Sequence, residues 1–302
     1  MNAIRRATPL DLLLLATTML IWAAAFVGIK VAVPAIGPVG VAAARATIGF
    51  AVLLPILLLS RGGWPGGVRD WGKLVLMAEL NVAIPFTLIS YAELTVSAGV
   101  AALVMGAGPL FAMIGAHYFN EGDAMTRRRA LGVALGFGGI AIMVGPGALA
   151  SLGAAGFGAI GALLLASLCY VASGLLVRRI DLPPLPMAVG ALAIATVSLL
   201  PFAAWRVDGA AFADRTVLLA LLFLGVFPTG VAYVLRFYLI SRIGFATFAL
   251  GVNMIPVFGV LLGVVVLDEA LTWPIIAALA LVVGGLAVAR SGSNAVAAGG
   301  RR

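Results

Sequence analysis

Residues 12–29, 94–116 and 243–267 each run without a single charged side chain. A helix of about 20 apolar residues crosses the roughly 30 Å hydrocarbon layer of a bilayer, and within that layer a backbone must pair its own amides and carbonyls. Strands of a membrane barrel would alternate polar with apolar residues, and these runs do not. Of 302 residues, 63% are hydrophobic and 10% charged. A soluble domain covers itself with about 25% charged residues, so the composition predicts an all-α membrane protein.

Ten apolar segments are predicted, at 10–32, 39–60, 71–91, 95–119, 129–146, 154–178, 186–205, 216–238, 245–267 and 272–289. The short links between them leave no room for a soluble domain. With the N-terminus in the cytoplasm, the inner links hold Arg5, Arg6, Arg61, Arg69, Lys73, Arg127, Arg128, Arg129, Arg178, Arg179, Arg236, Arg242, Arg290, Arg301 and Arg302, against Lys30, Arg206 and Arg215 outside. Cytoplasmic links carry such an excess. Both termini are therefore expected in the cytoplasm, and the net charge of +8 calls for no nucleic-acid partner. The first run is too long for the core of a signal peptide and reads as an uncleaved span. A lone Cys169 excludes an intramolecular disulfide and reads as a packing residue. Residues 291–302 are expected to form a disordered cytoplasmic tail.

The chain repeats itself. "GAGPLFAMIGAHYFNEG" (106–122) returns as "GVNMIPVFGVLLGVVVLDEA" (251–270): small residues, a proline inside the run, then an acid. Offsets of 147 or 148 pair Trp22 with Tyr170, Lys30 with Arg178, Tyr91 with Tyr238, Pro109 with Pro256 and Glu121 with Glu269. Each half, 10–146 and 154–289, holds five spans. An odd number sends the second half into the membrane from the opposite side. The predicted architecture is ten transmembrane helices in two inverted-topology five-helix repeats, a plan used by secondary transporters.

"WAAAFVGIK" (22–30), "AARATI" around Arg45, the stretch 232–271 from "AYVLRFYLISRIGF" to "LDEAL", and the closing "LVVGGLAVA" resemble the EamA-type members of the drug/metabolite transporter superfamily. The likeness covers about residues 10–290. It implies ten helices in two inverted halves, and export of amino acids or related metabolites from bacteria. Arg45 has no counterpart in the second half, so any role for it is not symmetric.

In such a fold the substrate site lies near mid-membrane beside interrupted helices. Pro85, Pro109, Pro228 and Pro256 mark four candidate hinges, each removing an amide donor and freeing the carbonyl four residues earlier. Glu79 lies eight residues beyond Trp71, roughly 12 Å along a helix. A carboxylate at that depth is costly, and reads either as a site for a substrate ammonium or a proton, or as a protonated acid hydrogen-bonded between helices. Asn81 and Asn253 read either as partners of a substrate carboxylate or as ties between helices. Trp22, Tyr170, Ser173 and Tyr233 complete the candidate substrate-binding set, with Trp22 and Tyr170 reading either as cavity walls or as core packing.

Glu121 and Glu269 close their spans and read as helix-link acids near the caps Thr126 and Thr272, favouring the N-terminus of the next helix, or as paired gate residues. Lys30, Arg45, Arg178 and Arg236 are expected to snorkel, with anion binding by Arg45 as the other reading. His117 has no counterpart in the second repeat. No nucleotide, metal or catalytic fingerprint is present in the sequence, so neither a cofactor nor direct drive by ATP is implied. The reading is a secondary transporter of the inner membrane, working by alternating access, with a small-molecule substrate, protons and the lipid bilayer as partners and a single copy sufficient. A lipophilic-cation exporter and a membrane enzyme acting on lipid-linked substrates are the alternatives.

Overall fold

A computed structural model describes residues 7–60, 67–119, 125–143, 146–177, 179–207 and 209–299, without the side chains of 116, 119, 146–154, 206, 210, 246 and 290–299. The helices are α1 (Pro9–Leu59), α2 (Val68–Ala78), α3 (Ile84–Ala92), α4 (Ala98–Gly106), α5 (Gly108–Phe119) and α6 (Arg127–Met143), then α7 (Pro146–Val177), α8 (Pro184–Arg206), α9 (Arg215–Leu224), α10 (Ala232–Val252), α11 (Ile255–Leu267) and α12 (Trp273–Gly299). A π turn, Glu79–Ala83, joins α2 to α3, and a second, Gly225–Val231, joins α9 to α10. Among the described residues there is no strand.

Helix α1 begins with a capping box, in which Thr8 and Asp11 satisfy each other's backbone amides. Its 51 residues would reach roughly 76 Å if straight, far beyond one bilayer. The helix breaks at Gly37, whose φ of 70° and ψ of 171° lie outside the helical region. Glycine adopts that conformation without the Cβ penalty, and Pro34 and Pro38 flank it. The two arms match the predicted segments 10–32 and 39–60. Gly244, with φ 79°, breaks α10 in the same way.

Among the described residues, seven helical stretches are long and apolar enough to cross a membrane. The predicted segments overlap these seven, two of them on the arms of α1, together with α6 and Trp273–Ala289, which fall short of that length. Large apolar side chains such as Leu13, Val197, Phe202 and Val265 are exposed on the outside, where a soluble protein would not tolerate so many together. The chain is an all-helical, multi-pass membrane protein. Helix α12 runs on as far as Gly299.

Backbones approach closely where glycines meet. A Cβ on Gly285 would lie 2.5 Å from the Gly132 carbonyl oxygen, and one on Gly139 would lie 2.9 Å from that of Ala278, so α6 and α12 pack main chain to main chain. Pro256 seats against Gly106 and Ala102 against Gly259 where α4 crosses α11. Small residues at such crossings gain van der Waals contact that lipid does not supply.

The link acid Glu269 does not cap the helix that follows it. Its carboxylate accepts from the Ala98 and Gly99 amides, at 2.5 and 2.9 Å, and so caps α4 from 170 residues away. Glu269 was expected at the N-terminus of the helix that follows it, and the structure corrects this: the helix it caps is the distant α4. Glu121, its predicted counterpart, lies outside the described residues, as do Arg5, Arg6, Arg61, Arg178, Arg301 and Arg302.

Two outcomes test this packing. Gly285→Ala is expected to lower stability in detergent by about 1–3 kcal/mol through overpacking. The neighbouring Gly284→Ala, whose Cβ meets nothing within 4 Å, is expected to leave the unfolding temperature unchanged. Glu269→Ala is expected to cost about 2 kcal/mol, since charge-assisted hydrogen bonds are lost, and to speed hydrogen exchange at the Ala98 and Gly99 amides.

Candidate functional site

The prolines sit at the helix interruptions. Pro85 follows the first π turn and Pro228 lies inside the second. Pro109 follows the break between α4 and α5 at Ala107, and Pro256 follows the break between α10 and α11 at Asn253 and Met254. In the first π turn the Ile84 amide reaches the Glu79 carbonyl, five residues back. Such turns concentrate at functional sites.

The carbonyl freed by Pro228 is that of Leu224, and the Thr229 hydroxyl donates to it at 2.8 Å. The same hydroxyl accepts from Arg45 Nε at 2.9 Å. Arg45 stands on the second arm of α1, eight residues beyond Gly37, roughly 12 Å along the helix. It is 8% exposed, and its guanidinium lies 3.8 Å from the centre of the Phe86 ring, a cation–π contact. Among the described residues no carboxylate forms an ion pair with it. Tyr170, Tyr233 and Glu93 lie within its electrostatic reach.

Three predicted site residues form one hydrogen-bonded group next to this cation. The Asn81 amide donates to the Ser173 hydroxyl at 2.8 Å, and the Tyr233 hydroxyl donates to Asn81 Oδ1 at 3.4 Å. Ser173 in turn donates to the Tyr170 carbonyl. The first π turn, α7 and α10 thus converge on one polar group with the α1 arginine beside it. Trp22 joins through its indole, which donates to the Pro228 carbonyl at 3.1 Å, while its ring packs edge-on against Phe248.

Glu79 and Asn253 stand apart from that group. Glu79 is two residues from Asn81, and its Oε1 accepts from Ser198 of α8 at 2.6 Å, whereas Asn81 turns to α7 and α10. Asn253 lies at the α10–α11 break, with its Oδ1 buried and unpartnered among the described residues. His117 is exposed and accepts from the Met125 amide, Cys169 is buried and free, and no cluster suited to a metal occurs among the described residues.

Three residues matter more than their sequence positions indicated. Arg45, expected chiefly to snorkel, is buried. Thr229 reads in the sequence only as one polar residue within an apolar span, after a proline. Glu93 lies two residues past the predicted end of a span, where an acid reads as surface, but it is completely buried. Lys30, also expected to snorkel, instead donates to the Glu93 and Val96 carbonyls at 2.6 and 2.8 Å. A separate apolar groove of about 330 Å³, lined by Ala24, Val27, Phe223 and Leu262 among others, shares no residue with the polar group.

A solved crystal structure superposes on 94% of this chain and 98% of its own with a TM-score of 0.65 at 22% identity, so the fold is shared. An uncharacterised transporter of Archaeoglobus fulgidus is 24% identical over 276 residues, covering 91% of this chain and 96% of its own. A protein of Streptantibioticus cattleyicolor named as a probable terminal-alkyne amino-acid exporter is 26% identical over 275 residues, covering 91% and 90%. The profile of the EamA-like transporter family matches residues 10–145 and, separately, residues 157–291. With nearly the whole chain matched in this way, the protein belongs to the EamA-like transporter family.

Proposed function

We propose that the chain exports amino acids, or metabolites that share their carboxylate, across the inner membrane with both termini in the cytoplasm. The observation that carries this reading is Arg45, a buried cation with no carboxylate partner among the described residues. A charge in that position is expensive unless something pairs with it. A substrate carboxylate supplies the pair, and a guanidinium binds it in fork geometry. Asn81, Ser173, Tyr233 and Tyr170 offer further donors and acceptors, with Trp22 as an aromatic wall. The name of the Streptantibioticus relative supports the same substrate class.

The mechanism is alternating access. Two five-helix units, 10–146 and 154–289, of inverted topology rock around the polar group, bending at Pro85, Pro109, Pro228 and Pro256. The double match of one family profile and the π turns beside Pro85 and Pro228 support two units of one design. A cation exporter suits this site less well, because Arg45 repels its cargo. Glu79, engaged by Ser198, acts in this reading as a tie between helices, and Asn253 as an accessory acceptor at the α10–α11 break.

Purified protein in sealed liposomes, screened against labelled amino acids and cationic dyes, is expected to carry the former unmodified. Arg45→Gln is expected to weaken transport at least about tenfold, the loss of one charge-assisted contact, with Arg45→Lys intermediate. Amino-acid transport by Arg45→Gln at the wild-type rate, or dye transport alone, would sink the reading. Glu79→Gln keeps an acceptor for Ser198, so its transport and pH dependence are expected to match the wild type. A loss of either would return Glu79 to the binding set.

A further inference from the structure

Glu93 stands in the link between the spans Val68–Ala92 and Ala98–Gly115. It is nonetheless 0% exposed, and neither carboxylate oxygen has a hydrogen-bond partner among the described residues. An ionised carboxylate held dry and without a donor forfeits several kcal/mol of hydration, so the group is stable there with its proton on. Burial raises its carboxyl well above the ordinary carboxylate value; Lys30 and Arg45 act against that, and Glu269 adds to it.

Those three are the charged groups that face Glu93: Lys30 and Arg45 from the two arms of α1, and Glu269 from the link before α12. Two of them are engaged elsewhere. Lys30 Nζ holds the Glu93 and Val96 carbonyls, and Glu269 holds the amides that open α4. Arg45 remains, bound by Nε to Thr229 and forming no ion pair among the described residues.

We propose that Glu93 is a proton-binding site linked to Arg45, so that a carboxylate-bearing substrate and a proton are bound together rather than in exchange. The inference rests on Arg45 as the anion site argued above. With Glu93 neutral, Arg45 offers an uncompensated positive charge to the substrate carboxylate. When the alternate state opens the link to water and the Glu93 O–H bond breaks, its proton passes to that water, a negative charge returns within electrostatic reach of Arg45 and the substrate is held less tightly. Linkage is reciprocal, so bound substrate keeps the proton on Glu93. Export then runs down the substrate's own gradient and takes a proton with it.

Liposomes containing the protein and loaded with a mixture of labelled proteinogenic amino acids test this. At equal pH on both sides, wild-type release is expected to quicken on the order of tenfold as the pH falls through the Glu93 titration. An imposed proton gradient is expected to drive label in the direction of proton flow. Glu93→Gln, an isostere of the protonated acid, is expected to release label quickly at every pH. Glu93→Leu, which also removes the unpartnered polar group, is expected to do the same and separates a charge effect from an amide effect. Infrared spectra are expected to lose a protonated-carboxyl absorption in Glu93→Gln. Label moving against the proton flow, wild-type pH dependence in either variant, or an unchanged carboxyl absorption overturns the proposal. Failure of the wild type to move any of the mixture overturns the amino-acid reading and with it the linkage, while the infrared difference still decides whether Glu93 carries a proton.

Discussion

Inside a bilayer no water is present to pair with a loose amide or carbonyl, and the fold is organised around that constraint. At several places where a helix bends or ends, a side chain bonds a backbone group there. Thr229 takes the Leu224 carbonyl that Pro228 abandons. Trp22 takes the carbonyl of Pro228 itself. Lys30 gathers two carbonyls between α3 and α4, and Glu269 gathers two amides at the start of α4. These replacements come from remote parts of the chain, so they also fasten the helices to one another.

The same constraint explains why the candidate site lies where it does. A π turn and a proline leave backbone groups in need of partners, and the polar side chains that answer them bring hydrogen-bonding capacity into an otherwise apolar interior. Asn81 belongs to one π turn, Thr229 to the other, and Arg45 reaches the second from α1. A cation that would be costly alone is held by a hydroxyl and an aromatic face. Among the described residues no carboxylate pairs with that charge, which is the feature the proposed anion site draws on.

Much of this was legible in the residues. Uncharged runs located the helical stretches, and the four prolines located the interruptions to within a few residues. Asn81, Ser173 and Tyr233 were selected from three separate segments, and they meet. Position along a helix does not by itself give burial, which also depends on which neighbour covers the face. Glu79, deep in its helix, finds Ser198 and remains half-exposed, whereas Glu93, past the end of its helix, is sealed by the link and by α1. The 51-residue α1 shows the same limit: two predicted segments are there, but only the geometry at Gly37 shows that they form a single bent element.

By itself the sequence determined the solvent this chain folds in, the approximate helices, the internal repetition and the family likeness, because hydrophobic length and proline placement act locally. Only the tertiary structure decided the partners of each polar group. Glu269 caps a helix 170 residues away, Lys30 turns inward rather than to the surface, and Arg45 is enclosed with a neutral partner. Hydrogen bonds and buried charges depend on what packs across from them. That is set by helix-to-helix contact between distant segments, which no stretch of sequence contains.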